Sequence, residues 1–515
     1  MMKGALMAGP RHVRTAIIGS GFGGIGLGIR LRQAGFEDFT ILEKETSLGG
    51  TWRDNTYPGC ACDVPSMSYC FSFAQKTDWT RKWAPQPEIQ AYMEDIAHSH
   101  GIVPHIRFGV RFTGARFHAS SGKWEVFTDN RDTMWADALV IGIGQLHYPY
   151  IPAIEGREKF RGVQFHSARW NHEFDFRGKR VAVIGNAASA IQFIPQIAPL
   201  TERLYIFQRS ANWMLPRGDR PYRKWEHWAF AHVPGLAKFY RARLWAALEL
   251  FFLPVIQQKP WAMRFYRRQA LRYLEETVRD PQLRRLLVPD YPIGAKRILI
   301  SDDYYQSLNL PQVRLVTDGV AALAEDAVVT KTGERLAVDA VIFATGFRTN
   351  PFLAGLRIEG LGGRLLENDW AQGARAYYGI TVPGYPNFFL LYGPNTNLGH
   401  NSILFMLECQ FQYILEALRL LQQGAAYLDV RKDVFEAFNR DIQAALQHTA
   451  WAHVDHSWYK DEAGRITNNW PYSTFWYWWK TRHLNAADYR IVSLAEAAAA
   501  AQAESLPFAA TAGAR

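Results

Sequence analysis

Hydrophobic and polar positions along this chain change period several times, and the changes mark out its elements. Val13-Arg-Thr-Ala-Ile-Ile18 is a short apolar run that predicts a strand, and Gly19-Ser-Gly21-Phe-Gly-Gly24 follows it directly. Apolar residues at Ile25, Leu27, Ile29 and Leu31 then predict a helix, with Gly35 as its stop. Phe39-Thr-Ile-Leu42 predicts a second strand, and Glu43 ends it. The arrangement recurs: strand Arg180-Val-Ala-Val-Ile184, turn Gly185-Asn-Ala187-Ala-Ser189-Ala190, an apolar helix, and strand Arg203-Leu-Tyr-Ile-Phe-Gln208 ended by Arg209. A second echo supports duplication. Asp137-Ala-Leu-Val-Ile-Gly-Ile-Gly144 and Asp339-Ala-Val-Ile-Phe-Ala-Thr-Gly346 each read as a late strand closing one unit. The interval from first glycine to late glycine is longer in the second unit, so the second holds an insert. Residues 218–290, rich in Trp, Phe, Tyr, Arg and Leu at helical spacing, supply it.

Strand, glycine-rich turn, helix and strand form the dinucleotide-binding fingerprint in its required context. Gly19 permits the tight turn, Gly21 lets a pyrophosphate approach the backbone, and Gly24 lets helix pack on strand. The helix N-terminus offers unpaired N–H groups to the phosphates. Glu43 can accept hydrogen bonds from ribose hydroxyls. In the second unit Arg209 stands at the same distance from the first glycine as Glu43 does. An acid pairs with free ribose hydroxyls, whereas Arg accommodates a 2′-phosphate, so the second unit is read as an NADPH site. Ser210 adds a candidate hydroxyl contact, and Gly185 and Ser189 belong to the turn. Ala187 departs from the pattern, and its methyl group is expected to crowd a pyrophosphate. The competing reading of Arg209 is an ordinary surface charge.

Composition adds bounds. The chain has 515 residues, a prior for about three domains, and 48% hydrophobic against 21% charged residues excludes a disordered chain. The net charge is +10, and 18 Trp, 23 Tyr and 31 Phe make the chain aromatic-rich. Those two features admit nucleic acid, a membrane surface or phosphate-bearing ligands as partners. For the insert itself, a solvated helix with a buried stripe is the commoner reading than RNA or membrane contact. Cys60, Cys62, Cys70 and Cys409 make neither a disulfide framework nor a zinc signature, and read as reduced thiols of a cytoplasmic protein. His448, His453, Asp455 and His456 lack a recognised metal spacing, so no metal is expected. The N-terminus lacks the apolar core of a signal peptide. The longest apolar run, Leu244 to Ile256, is too short for a transmembrane segment and contains Glu249 and Pro254. After about residue 493 an alanine-rich helix candidate carries no chemical signal.

Between and beyond the two fingerprints lie stretches that resemble the Baeyer–Villiger monooxygenases. Gly49-Gly50-Thr51-Trp52, Asn55-Thr-Tyr-Pro-Gly-Cys-Ala-Cys-Asp63 and Ser66-Met-Ser-Tyr69 resemble that family's flavin-binding run. Phe160-Arg-Gly162-Val-Gln-Phe-His166-Ser-Ala-Arg-Trp170 is similar to its FxGxxxHxxxW signature, with Asn171 where Pro or Asp is usual. Ala344-Thr-Gly-Phe347 and Gly393-Pro-Asn-Thr-Asn-Leu-Gly-His400 also resemble it, so the likeness runs in order from about residue 13 to about 480. The resemblance implies an α/β fold of two Rossmann-like dinucleotide-binding domains, FAD and NADP, with a helical insert in the second. The FAD-binding domain would be discontinuous (1–148 and 373–515), the NADP-binding domain would take 149–217 and 291–372, and the insert 218–290.

The resemblance also implies a mechanism. NADPH reduces FAD, reduced flavin captures O2 as a covalent peroxide, and the peroxide inserts one oxygen beside the carbonyl of a small hydrophobic ketone to give an ester or lactone. Gly50, Thr51, Trp52, Asp63 and Tyr69 would border FAD together with Gly19, Gly21, Gly24 and Glu43. Lys296 would help hold the NADPH 2′-phosphate, Arg297 would be the active-site cation, and Asp63 would orient it. Read bare, Arg297 has a competing role as an ion pair with Asp302 or Asp303. His166 reads as a hinge-side residue rather than an acid or base. Ser457-Trp-Tyr459 and Asn469-Trp-Pro471 resemble segments that border substrate, although core packing explains most individual rings. Two other functions compete: oxidation of nitrogen or sulfur by the same cofactors, and a basic binding protein that uses the nucleotide folds only as scaffold. The sequence does not choose among cyclic, linear and aryl ketones, and leaves the oligomeric state open.

Overall fold

The computed structural model describes residues 11–455 and 457–505. Residues 1–10, His456 and 506–515 lie outside the described residues. The first fingerprint forms β1 (Arg11–Ile18), α1 (Phe22–Gln33) and β2 (Phe39–Leu42), with β2 parallel to β1. Helices α2 (Thr51–Asp54) and α3 (Gln86–Ser99) follow, then β3 (Ile106–Arg107), β4 (Phe112–His118), β5 (Lys123–Thr128) and β6 (Thr133–Ile141). β6 lies parallel to β1 on its other side, and the antiparallel β4–β5–β6 meander extends the sheet. Every residue of β2 is buried, as a strand covered on both faces requires.

The second fingerprint forms a separate five-stranded parallel sheet in the order β12-β9-β8-β16-β7. Its strands are β7 (Val163–His166), β8 (Arg180–Ile184), β9 (Arg203–Phe207), β12 (Val313–Val316) and β16 (Ala340–Phe343), with α4 (Ala190–Ile197) as the crossover after β8. A small antiparallel sheet of β13 (Val320–Leu323), β14 (Ala327–Thr330) and β15 (Arg335–Ala337) sits beside it. The insert hangs from a two-residue parallel pairing of β10 (Met214–Leu215) with β11 (Leu299–Ile300), which closes its neck. Its helices are α5 (Lys224–His232), α6 (Leu236–Ala247), α7 (Leu253–Ile256), α8 (Pro260–Thr277) and α9 (Pro281–Leu286). A π-helical turn, Leu248–Phe252, joins α6 to α7. After the neck come the short α10 (Tyr304–Ser307) and then the late strands of the second sheet.

The chain returns to the first sheet earlier than the expected residue 373. β17 (Arg357–Glu359) pairs in parallel with β4, and Leu353, Ile358, Leu366 and Trp370 belong to the core under the first sheet. The three-residue strand and α11 (Leu366–Asp369) carry too short a pattern to be read as a change of sheet. β18 (Phe388–Leu390) then lies parallel to the end of β6. α12 (Ile403–Gln422) packs on α1, and α13 (Lys432–Gln447) and α14 (Thr474–Thr481) follow. β19 (Ala425–Val430) pairs with β20 (Tyr489–Ser493), and the alanine-rich stretch is helical as α15 (Leu494–Ser505). All four cysteines are free and buried.

Candidate active site

A single cleft of about 1290 Å³ runs between the two sheets, and both glycine-rich turns open into it. Gly19, Gly21, Glu43, Gly50, Thr51, Trp52, Asp63 and Tyr69 line one part. Gly185, Ala187, Ser189, Arg209, Ser210, Lys296 and Arg297 line another. Gly24 lies beneath: a Cβ there would sit 1.9 Å from the Gly19 carbonyl oxygen, so only glycine lets α1 seat on the turn. In the second turn the regular helix begins later, at Ala190, and Ala187 stands exposed on the cleft wall. The expected crowding by its methyl group is thereby eased, because the chain makes a wider turn before the helix starts.

Glu43 is buried and fully engaged. Its Oε2 accepts from the Ser20 N–H (2.9 Å) and hydroxyl (2.7 Å), and its Oε1 from the Glu45 N–H (3.1 Å) and Arg53 (3.2 Å). The Gly49–Trp52 segment is tied to the same turn by the Gly49 N–H donating to the Ser20 carbonyl at 3.0 Å. Trp52 Nε1 donates to the Tyr69 hydroxyl at 3.1 Å, fixing two rings edge to face on the cleft.

On the other side Lys296 Nζ donates to Ser210 Oγ at 2.9 Å and stands 4.5 Å from the Tyr291 ring centre. Burial, and next the positive Arg209, hold the Lys296 pKa below that of an ordinary lysine. Among the described residues no carboxylate lies within 4 Å of either cation. Burial and Arg209 outweigh the pull of Asp290 on Lys296, so the two cations offer a site for a multiply charged anion. Asn186, which the sequence reading passed over, braces this wall by donating to Gln208 (2.8 Å) and to the Ser210 carbonyl (3.1 Å).

Between these walls Arg297 Nε donates to Asp63 Oδ2 at 2.6 Å. Asp302 and Asp303, the competing partners, are committed elsewhere. Asp302 accepts the backbone N–H groups of Arg217, Gly218 and Asp219, and Asp303 accepts from Ser301 Oγ. Burial works to raise the Asp63 pKa, but the Arg297 charge and hydrogen bond prevail and hold it below the usual carboxylate range. Asp63 raises Arg297 in turn. Tyr459 is pushed up to about 12 by burial against the pull of Arg297, so the phenol stays neutral and Asp63 is the balancing charge. Asp63 belongs to a strap, Tyr57 to Val64, that the second unit grips: Gln192 of α4 accepts from Tyr57 and donates to the Ala61 carbonyl, and Arg217 donates to the Cys62 carbonyl. Nothing in the local sequence pattern marked Gln192 or Arg217, since their partners lie more than 100 residues away.

His166 is buried in β7; its Nε2 faces the Gly346 carbonyl at 2.9 Å, and its Nδ1 accepts the Ala168 N–H at 3.1 Å. Those contacts set the tautomer with hydrogen on Nε2. Burial lowers its pKa to about 4, so the ring is neutral and ties β7 to the turn after β16. Of the six C-terminal tryptophans, Trp458 lines the cleft, Trp451 and Trp470 are core residues, Trp476 is partly buried, and Trp478 and Trp479 are exposed. Burial raises the Cys60 thiol to about 12 and Cys62 also upward, which keeps both protonated. Among the described residues no three His, Cys, Asp or Glu side chains group to hold a metal ion, and no helix is long and apolar enough to cross a membrane.

The flavin-binding monooxygenase-like family profile matches residues 12–231. A Baeyer–Villiger monooxygenase of Streptomyces coelicolor is 40% identical over 495 residues, 96% of this chain and 95% of that protein. This chain belongs to the Baeyer–Villiger monooxygenase family. The structure of an oxidized steroid monooxygenase bound to NADP superposes with a TM-score of 0.82 at 30% identity, covering 94% of this chain and all of the other. A structure titled OTEMO complex with FAD and NADP gives 0.83 at 25% identity over 93% of this chain and 99% of that one. Family membership sets aside the reading of a binding protein that uses its nucleotide folds only as scaffold.

Proposed function

We propose that this enzyme takes electrons from NADPH through FAD and inserts one oxygen atom of O2 beside the carbonyl of a small hydrophobic ketone. The products are an ester or lactone, NADP+ and water. The observation that carries the reading is the Arg297–Asp63 pair, held in one cleft between a glycine turn closed by an acid and a second turn faced by two cations that make no ion pair among the described residues. The first unit, with its return segment, is the FAD-binding domain. Gly19 and Gly21 leave the backbone bare for a pyrophosphate, and Gly50 faces Gly21 closely enough that a Cβ there would come 3.3 Å from its Cα. A ribose hydroxyl on Glu43 would replace the Ser20 hydroxyl or Arg53, which now fill its acceptor sites. The second unit is the NADP-binding domain. Arg209, Lys296 and Ser210 supply two positive charges and a hydroxyl for the 2′-phosphate, and Gly185, Ala187 and Ser189 form the turn beside the pyrophosphate. When bound, FAD accepts hydride from NADPH and activates O2.

The chain's own residues do the rest. Arg297 places a permanent cation where negative charge gathers on the carbonyl oxygen under attack, and a charge already fixed in place needs no reorganisation. Asp63 orients that guanidinium and balances its charge between turnovers. Ile403, Leu404 and Leu407 make the adjoining wall apolar, which excludes water and suits a hydrophobic ketone. Reliance on NADPH and four free thiols fit a cytoplasmic location.

The test starts with the visible spectrum of the purified holoenzyme. Bound flavin should bleach with NADPH and much less well with NADH. Incubation with a ketone and labelled O2 should then place one labelled atom in the ester. Replacing Arg297→Ala should abolish ester formation while flavin stays bound. Normal ester yield from that variant, or oxygen transfer to sulfides and amines alone, would overturn the proposal.

A further inference from the structure

The insert presents to solvent what a soluble helical bundle usually hides. Every Trp and Phe among the strongly exposed large hydrophobics of the described residues lies either in the insert or on α14. α8 shows how this arises. Ala262, Tyr266, Ala270 and Leu274 form its buried stripe, four residues apart. Its outward face is also aromatic, with Trp261 at 53% and Phe265 at 52% exposure, interleaved with Arg264 and Arg268. On α6 and the π turn, Phe239, Arg243, Ala246 and Leu250 recur at helical spacing, and Phe239 and Leu250 are two-thirds exposed.

These surfaces adjoin. Glu249 of the π turn accepts the Thr474 hydroxyl at 2.6 Å at the start of α14, and Trp245 Nε1 donates to the same hydroxyl at 2.8 Å. That contact joins the π turn, which carries the exposed Leu250 and Phe251, to the start of α14, where the exposed Phe475 ring lies 5.5 Å from Trp478. On the other flank Phe252 packs on Tyr266 of α8 at 4.8 Å between ring centres.

The charge is as one-sided as the aromatics. Residues 218–290 hold fourteen Lys and Arg against seven Asp and Glu, so this seventh of the chain carries seven of its ten net positive charges. Between Glu226 and Glu275 the one acid is Glu249, and it is buried. On α14 and its exit, Lys480 and Arg482 stand over Trp476 and Trp479, again without an acid before Asp488.

We propose that this face, centred on Leu250 and Phe251 and flanked by α8 and α14, docks the enzyme on the surface of an anionic lipid bilayer. Indole and phenyl rings partition into the headgroup boundary, and flanking cations draw the protein to acidic lipid. Large exposed apolar patches ringed by polar groups mark interaction sites. A second copy of the chain is a poor occupant, since a symmetric contact would press one basic face on another, and between Glu226 and Glu275 there is no exposed acid to pair.

The test is sedimentation of the flavin-loaded enzyme with vesicles of phosphatidylcholine containing a quarter phosphatidylglycerol, beside vesicles of phosphatidylcholine alone. The protein should pellet with the anionic vesicles, its tryptophan emission should shift to the blue, and added salt should release it. The pair Leu250→Ser with Phe251→Ser, and separately Arg264→Glu with Arg268→Glu, should each weaken binding by about tenfold or more while turnover of a soluble ketone stays normal. Protein that stays in the supernatant with both vesicles overturns the proposal. So does vesicle binding that neither pair weakens, a dimer in sedimentation velocity that either pair dissociates, or single-stranded nucleic acid that displaces the vesicles.

Discussion

The two glycine-rich turns share a strand, a helix and a following strand, yet they solve opposite electrostatic problems. The first is closed upon itself: Glu43 takes four hydrogen bonds from Ser20, Glu45 and Arg53, and Gly24 seats α1 against the turn. The second is left open, with a helix that starts late and with Arg209 near Lys296 and, among the described residues, no carboxylate within 4 Å of either. A saturated turn holds its shape before any ligand arrives. An unsaturated pair of cations stores repulsion that an incoming phosphate relieves. The difference suits one nucleotide that stays and one that comes and goes.

The comparison can be attacked at its tightest point first. Gly24→Ala should prevent recovery of flavin-loaded protein, because its Cβ would fall 1.9 Å from the Gly19 carbonyl; the flavin-to-protein absorbance ratio after purification reads the outcome. On the second turn, removing both cations (Arg209→Ala with Lys296→Ala) should raise the KM for NADPH on the order of 100-fold, with NADH little changed. Steady-state kinetics with the two coenzymes would show it, and an equal loss for both would erase the distinction between the turns.

A smaller effect follows from pH. Burial and Arg209 lower the Lys296 pKa, so its charge disappears earlier than an ordinary lysine's as the solution becomes alkaline. The charge is present below that lowered pKa and lost above it, so affinity for NADPH should fall as pH rises, by about tenfold for the loss of one charge-assisted contact. Lys296→Arg should flatten the profile, and flavin retention should show no matching drift. Least of all, Ala190→Gly, at the position matching Gly24, should cost only about 0.5–1 kcal/mol in a denaturant melt. A loss as severe as that of Gly24→Ala would mean that the second turn is as tightly closed as the first.

Much of this contrast is legible in the sequence. Glu43 against Arg209, at matching distances from their glycines, predicts two different riboses, and the unequal intervals predict an insert in the second unit. The Arg297–Asp63 contact was reached through family likeness rather than through pattern. The two residues are 234 apart in sequence, and Asp302 and Asp303 are nearer in the chain. Local pattern favours near partners, whereas the fold commits those two acids to a turn at Arg217–Asp219 and to Ser301. The return to the first sheet was misplaced for a related reason. β17 is three residues long and is defined by its neighbour β4, not by its own sequence. The exposed aromatics of the insert escaped because spacing marks a stripe without saying which stripe faces inward; on α8 both faces are apolar enough to qualify.

Lys296 and Arg297 are consecutive, and their partners lie on opposite units, Ser210 in the second and Asp63 in the first. On the roles proposed above, one peptide bond joins the anchor of the coenzyme's phosphate to the side chain that meets the substrate. Settling an anion on Lys296 restrains the backbone from which the guanidinium springs, and swinging the units apart would strip Arg297 of its counter-ion. With those roles the dipeptide would work as a coincidence detector, its charge aimed when the coenzyme is seated and Asp63 stays in reach.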